Sequence, residues 1–423
     1  MTDTAVVTVF LRHRGEVLLL RRSNDVGSYP GKWGTVAGHL ESDDPLDAAR
    51  SEIEEEVGLT EDDVSLVQEG PSFSVHDEDR GTEWIVHPFL FDSSTQEVSL
   101  NWETQNAEWV SPTTLLRRDT VPDLWRSYRS VSPSIVELTD DTEHGSAYLS
   151  LRALEVLRDR AALLATTDPP DIDDAWARLA ETAQRLLKSR PSMAALTNRI
   201  HRVMHESQPE GTPGQVEQKA HAAIGQAIDA DAKTARRAAD QFADQRVLTL
   251  SRSGTVLEAL RTANPAPSII VTESHPGREG VGVAETLVRA EMDVTLIPDA
   301  AVATTLASGE IDAVLVGADT IHPSGTVVNK VGTRGAALAA AREDIPFYVA
   351  CAIDKISVEE ATISESADPR SVYEKGTDVR VAAPRFDETP PDLVTGGIIT
   401  NRGSYAPDQV AALAEELEML RDW

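Results

Sequence analysis

The run 311–335, IDAVLVGADTIHPSGTVVNKVGTRG, restricts the fold of this chain more than any other stretch. Val314 and Val316 lie in an unbroken apolar segment, the mark of a strand buried on both faces. Such strands belong to parallel sheets covered by helices. The segment stops abruptly at Gly317-Ala318-Asp319. A polar loop follows, and Asn329, Lys330, Gly332 and Thr333 are expected to open an Ala-rich helix through Ala341. A carboxylate at a strand tip, facing an amide and an ammonium at the next helix start, has the layout of a ligand crevice.

The surrounding sequence repeats the pattern. Strand-like runs at 247–249, 268–271, 294–297, 313–316 and 347–351 alternate with helical stretches. That rhythm predicts an α/β fold with a doubly wound parallel sheet over residues 246–423. In such sheets ligands sit beyond the carboxyl ends of the strands. Those ends carry Ser251-Arg252-Ser253-Gly254-Thr255, Glu273-Ser274-His275, Pro298-Asp299, Gly317-Ala318-Asp319 and Asp354-Lys355. Ser251, Ser253, Gly254 and Thr255 also open a helix, whose amides can hold a phosphate. The one cysteine, Cys351, excludes an internal disulfide; in its apolar run it reads as core filler rather than a nucleophile.

Residues 146–245 read as helical, with apolar stripes at 151–157, 176–187, 193–204 and 216–228. Ser189-Arg190-Pro191-Ser192 interrupts them. Arg190 at a helix start is either a phosphate ligand, with guanidinium and backbone N–H both donating, or an ordinary Pro-marked boundary. A connector, 124–145, precedes this region without a flexible Gly/Ser linker.

The first 123 residues carry a different chemistry. Two β-rich runs flank the turn Arg14-Gly15 and predict a hairpin. Pro45 suits the first turn of a helix that Gly58 ends, with Leu46, Ala49, Ile53 and Val57 on one apolar stripe. On an adjoining face Glu52, Glu55 and Glu56 converge within one turn. Three carboxylates so placed repel one another unless a hard cation such as Mg²⁺ sits among them. A chain this acidic produces such triads by chance, so the surrounding residues must carry the inference.

Acidic residues number 70 against 39 basic, giving a net charge of −31, and only seven of the basic residues are Lys. The acids are spread along the chain, which argues against a disordered acidic tail. A folded protein with this charge needs screening salt; at about 1 M the Debye length is about 3 Å. The composition resembles that of proteins from salt-accumulating halophilic archaea. It argues against direct nucleic-acid binding and against anionic membranes. No run is long enough to span a bilayer and no basic-then-apolar signal opens the chain, so a cytoplasmic protein is expected.

Two resemblances emerge. The hairpin, Gly38-His39-Leu40-Glu41, and Glu52-Ile53-Glu54-Glu55-Glu56-Val57-Gly58-Leu59 together resemble the Nudix box. In Nudix domains an α/β/α sandwich presents glutamates that hold divalent metal on a diphosphate. The resemblance implies Mg²⁺ (or Mn²⁺) on Glu52, Glu55 and Glu56, with Gly38 and Gly58 shaping the turns. The box departs from the family pattern in three places. One residue is missing between Glu41 and Glu52, the first acid is Asp43 or Asp44, and Ser51 stands where an arginine usually orients the glutamates. Glu103, in Asn101-Trp102-Glu103-Thr104, is either a further acid or solvated surface.

The pieces SRSGTVLEAL, TESHPGREG, VTLIPDAAV, VLVGADTI, VVNKVGTRG and TPPDLVTGGIIT resemble the translation initiation factor 2B alpha/beta/delta family. That family includes ribose-1,5-bisphosphate and methylthioribose-1-phosphate isomerases. The likeness implies a helical subdomain, 146–245, and a Rossmann-like sugar-phosphate-binding domain, 246–423, through which members form oligomers. It places Asp319 at the catalytic aspartate and Asn329 and Lys330 at the sugar-phosphate contacts. Ser251 stands where the isomerases have a cysteine, and a hydroxyl is a poor acid–base partner at neutral pH.

The expected protein is therefore a Nudix hydrolase domain acting on a nucleoside-diphosphate-linked compound, fused to a domain that binds a ribose phosphate or nucleotide. Two alternatives stand beside it: a sugar-phosphate isomerase working through Asp319, and a non-catalytic regulator that contacts a translation factor.

Overall fold

The computed structural model describes residues 2–40, 44–78, 81–166, 172–360, 366–374 and 379–423. Glu41 and Asp43 of the box lie outside them. The chain divides into two compact units. Residues 1–140, 151–185 and 206–225 form the first; 141–150, 186–205 and 226–423 form the second.

The first unit is built on a mixed sheet. Its strands are β1 (Thr2–His13), β2 (Glu16–Arg22), β3 (Trp33–Gly34), β4 (Val36–His39), β5 (Val64–Glu69), β6 (Phe73–Asp77), β7 (Thr82–Ser93) and β8 (Thr104–Val110). The order β3-β2-β1-β7-β5 forms its spine, with β4 on β1, β6 on β7 and β8 on β2. Arg14 and Gly15 both take positive φ (51° and 84°), the primed turn that suits the twist of two hairpin strands. β1 and β7 run parallel in register from Thr2↔Thr82 to Arg12↔Asp92.

Residues alternate across this sheet and feed two cores. Val7, Val9, Leu11, Leu18, Leu20, Phe89 and Phe91 face one side, where helix α1 (Pro45–Val57) lays Ala49, Ile53 and Val57 on them. Phe10, Val17, Leu19 and Leu90 face the other and meet Leu124, Tyr128 and Val131 of α2 (Leu124–Val131). α1 starts where Asp44 accepts the Leu46 N–H at 2.9 Å ahead of Pro45. It stops at Gly58, whose φ of 69° lets its N–H cap the Glu54 carbonyl. After α3 (Ile135–Asp140), the helices α4 (Ser146–Thr166), α5 (Ile172–Ser189), α6 (Ala194–Ser207) and α7 (Pro213–Phe242) follow. A buried charge network fixes α4 within the first unit. Arg158, fully buried, donates to the Gly15 carbonyl (2.8 Å) and to Asp159 (2.9 Å). Arg12 bridges Asp92 (2.6 Å) and Glu155 (3.2 Å).

The second unit carries the expected parallel sheet. Strands β9 (Arg246–Thr249), β10 (Ser268–Thr272), β11 (Val294–Ile297), β12 (Ala313–Val316), β15 (Phe347–Ala350) and β17 (Gly397–Ile399) are all parallel, and β18 (Ser404–Tyr405) returns antiparallel. The order β11-β10-β9-β12-β15-β17-β18 reverses direction between β9 and β12. Leu248, Val314, Val316, Phe347 and Val349 pack on α11 (Thr333–Arg342) and α12 (Val410–Glu418). Val247, Ile269, Val271, Ala313 and Leu315 pack on the end of α7, α8 (Gly254–Thr262) and α9 (Glu279–Arg289). The short α10 (Val302–Leu306) follows β11.

A small antiparallel sheet of β13 (Thr320–Ile321), β14 (Val327–Lys330) and β16 (Phe386–Thr389) lies beyond β12. It corrects one expectation. Asn329 and Lys330 do not open a helix; they end β14, and α11 begins at Thr333. The β-branched pair Val327-Val328 finds its partner in β16, nearly sixty residues later, which no local period reveals.

Candidate functional sites

In the first unit the candidate centre is Glu56. Its side chain is 6% exposed, and Oε1 accepts the Ala37 N–H of β4 at 3.2 Å. Burial pushes its carboxyl up from 4.5 to about 8, with the Glu52 and Glu103 charges adding to that; the Ala37 hydrogen bond and Arg22 oppose it. Glu52, one turn earlier on α1, lays its carboxylate against Gly38: a Cβ at that glycine would lie 1.6 Å from Glu52 Oε1. Gly38 therefore sits within β4, not in a turn, and its role is close approach rather than backbone freedom. Glu55 is exposed on the outer side of the same helical turn, and Ser51 is exposed as well.

Glu103, just before β8, is half-buried and enters the same field as Glu56. The helix-centred sequence reading left it open between acid and surface, because it is brought near α1 by the β2–β8 pairing and by the Asn101 N–H donating to the Glu56 carbonyl (3.3 Å). Carboxylates of Glu52, Glu56 and Glu103 in one another's field suit a hard divalent metal in chemistry and charge. As the side chains stand, no three metal-ligating groups among the described residues converge on one point. Glu52 and Glu56 form the compact pair. An aromatic wall borders β4: His39 and Tyr29 lie 6.1 and 6.4 Å from the Trp84 ring. The Tyr29 hydroxyl donates to Asp77, and the indole N–H of Trp84 is buried with no protein acceptor among the described residues.

In the second unit the candidate site lies at the β9–β12 switch point. A Cβ on Gly317 would meet Ser253 Oγ at 2.6 Å, so the two strand tips touch only because that residue is glycine. Ser253 caps α8, accepting the Val256 N–H at 3.4 Å. Ser251 takes a left-handed φ of 62° and its N–H donates to Ser274 Oγ at 2.7 Å. Asp299 then accepts the N–H groups of Ser274 and His275 at 2.9 and 2.7 Å. Gly254 is exposed and Thr255 buried at the first turn of α8.

Asp319 follows β12 and is held by its own N–H on the Val328 carbonyl (2.9 Å), while the buried Lys355 ammonium donates to the Ala318 carbonyl at 2.6 Å. Adjacent strand residues point to opposite faces, so Asn329 and Lys330 diverge. Asn329 donates to Thr333 Oγ1 at 3.0 Å, and Lys330 pairs with Glu279. Arg190, just past α5, donates to the Asp141 carbonyl.

A cavity of about 290 Å³ opens beside Asp319. Ser192, Asn198, His201, Thr320 and Phe386 share its lining, whereas Ser251, Asn329, Lys330 and Arg190 do not. His201 is the addition that sequence reading missed, although it follows Asn198 by three residues on one face of α6. Burial, and then Arg421, push its imidazole down to about 4, and its Nδ1 accepts the Trp423 indole N–H at 2.8 Å. It is a neutral imidazole that shares the cavity lining with Asp319. Asp354, also named from its strand tip, is buried under Arg199 and Arg202 and stays ionised as their partner. Cys351 is fully buried and its thiol is pushed up to about 12, which leaves no thiolate for acid–base work.

Residues 142–407 match the family model "Initiation factor 2 subunit family", and residues 1–131 match "NUDIX domain". The chain is 30% identical over 262 residues to methylthioribose-1-phosphate isomerase of Magnetococcus marinus, covering 55% of this chain and 74% of that protein. It is 33% identical over 252 residues to ribose 1,5-bisphosphate isomerase of Archaeoglobus fulgidus, covering 55% and 78%. Among solved structures, the translation initiation factor eIF-2B of Pyrococcus horikoshii superposes with a TM-score of 0.55 at 27% identity, over 65% of this chain and 96% of that one.

Proposed function

The chain belongs to the initiation factor 2 subunit family and carries a NUDIX domain ahead of that region, and from that premise we propose a cytoplasmic, metal-dependent hydrolase of a nucleoside-diphosphate-linked compound whose second unit binds a ribose phosphate or nucleotide. The observation that carries this reading is Glu56, a buried carboxyl held at about 8 in the field of Glu52 and Glu103. A group so placed is neutral at pH 7 by itself and becomes a carboxylate when a cation joins the cluster.

NUDIX hydrolases generally use divalent metals such as Mg²⁺. Here Glu52 and Glu56 would hold Mg²⁺ or Mn²⁺, with Glu55 alongside; the ion, when bound, neutralises the diphosphate and acidifies an attacking water. Glu56, its Oε1 oriented by the Ala37 N–H, would take a proton from the attacking water. Gly38 keeps the strand backbone out of the Glu52 carboxylate's way. Tyr29, His39 and Trp84 offer a tilted aromatic wall for a nucleobase. The test is formation of a nucleoside monophosphate from a panel of nucleoside-diphosphate-linked compounds, in about 1 M KCl with Mg²⁺. Hydrolysis of none, or equal activity in Glu56→Gln, overturns it.

A second reading, isomerisation of a ribose phosphate, has one observation in its favour: Asp319 and neutral His201 line the same cavity. Two such groups can pass a proton between adjacent carbons of an aldose and a ketose. Turnover of ribose 1,5-bisphosphate that disappears in Asp319→Asn would establish it, and unchanged turnover would exclude this site. If neither centre turns over, the family membership leaves a metabolite-sensing partner of a translation factor. Self-association through the second unit fits its exposed Val288, Leu296 and Leu338; light scattering reads it directly.

A further inference from the structure

Away from both centres, the first unit holds a second cavity, of about 470 Å³, within the range of small-molecule pockets. Arg129 of α2, Arg160 of α4, and Arg178 and Arg185 of α5 all line it. Spaced by seven, Arg178 and Arg185 share one face of α5. In a chain where acids outnumber bases 70 to 39, four arginines around one cavity invert the local charge.

Two acids also line it. Asp159 is already taken by Arg158 (2.9 Å) and the Tyr128 hydroxyl (3.1 Å), and Glu181 lies between the two arginines of α5. Arg178 has only a loose pairing with Asp174 at 3.8 Å. Arg129, Arg160 and Arg185 make no side-chain ion pair or hydrogen bond among the described residues. That is unusual where carboxylates are this abundant. Burial, and the charges of Arg178 and Arg129, weaken the Arg160 guanidinium's hold on its proton, and Glu181 offsets this only in part.

The neighbouring hydroxyls bond elsewhere. Thr182 Oγ1 donates back to the Arg178 carbonyl at 2.9 Å, and Ser134 exchanges capping hydrogen bonds with Glu137. Val156 and Ile135 add an apolar wall. Guanidinium forks around a metabolite-sized cavity, three of them without a side-chain partner among the described residues, match the bidentate geometry of phosphate oxygens.

We propose that this cavity binds a phosphorylated small molecule carrying at least two negative charges, separate from the Glu56 and Asp319 centres. The phosphates sit among Arg129, Arg160, Arg178 and Arg185, and the organic part rests on Val156 and Ile135. Bound there, the ligand ties α2, α4 and α5 together and acts on the first unit from outside its acid cluster.

Calorimetric titration of the full chain in EDTA and about 1 M KCl tests this, with ADP and inorganic pyrophosphate as probes. A binding event is expected that persists in the Glu56→Gln/Asp319→Asn double variant. It should weaken about tenfold or more in Arg160→Gln/Arg185→Gln and recover in part in Arg160→Lys/Arg185→Lys. Tighter ADP than pyrophosphate binding is expected from the apolar wall; equal affinities overturn the assignment of Val156 and Ile135 to an organic group. Should the double Gln variant fail to fold, Arg178→Gln, at an exposed position, is titrated instead with the same expectation. Unchanged affinity in the arginine variants, or loss of all binding in Glu56→Gln/Asp319→Asn, overturns the proposal. Unchanged probe binding with lost self-association also overturns it, and points to an acidic segment of a second copy.

Discussion

Glu56 makes the metal question measurable without any substrate. Its carboxyl is raised from 4.5 to about 8 in the folded, metal-free chain. A carboxyl whose folded pKa exceeds its unfolded value holds its proton more tightly in the native state. Its contribution to stability is therefore intact below about 4.5 and is lost as the pH rises through about 8. Across pH 5 to 8 that linkage amounts to roughly 3–4 kcal/mol, at 1.36 kcal/mol per unit. Glu56→Gln keeps the shape and the Ala37 hydrogen bond but removes the titration. Hydrogen exchange of the α1 amides, measured in EDTA on both proteins at each pH, cancels the intrinsic exchange rate and reads the difference in opening free energy. The wild-type protein should lose that difference relative to Glu56→Gln between pH 5 and 8, and millimolar Mg²⁺ should restore it in the wild type alone. Parallel profiles, within about 1 kcal/mol of one another, would refute the buried, cation-seeking carboxyl. A pH dependence that Mg²⁺ leaves untouched would refute the metal site while sparing the burial.

Gly38→Ala pushes a Cβ into the Glu52 carboxylate, the mobile end of a long side chain. It should therefore cost under about 1 kcal/mol in denaturation while weakening Mg²⁺ affinity about tenfold or more by titration. Arg158→Met strands Asp159 beside Tyr128 in the core; about 3–5 kcal/mol of stability should be lost in the first unit, read by thermal unfolding. Asp319→Asn should abolish thermal stabilisation by ribose 5-phosphate if the cavity beside it is the sugar-phosphate site, and equal stabilisation in both proteins would move the ligand elsewhere.

What the sequence disclosed and what it hid separate along one physical line. The parallel strands were legible because each is a short β-branched run between helical stretches, and their tips were legible because polar residues end those runs. α1 was legible because Pro45, an apolar stripe and Gly58 mark its start, face and end. Each of these signals is local. The readings that needed the structure depend on pairing between distant segments. Asn329 and Lys330 moved from a helix start to a strand because β16 supplies their partners from residues 386–389. Glu103 joined the acid cluster because β8 pairs with β2 and the loop before it hydrogen-bonds to the end of α1. His201 gained a role only when α6 met Asp319 across a cavity. The arginine cavity belongs to the same class: its four guanidiniums come from three helices, and none carries a motif of its own. Charge sharpened that contrast. In so acidic a chain a glutamate triad says little by itself, whereas four arginines against two acids around one cavity say a great deal.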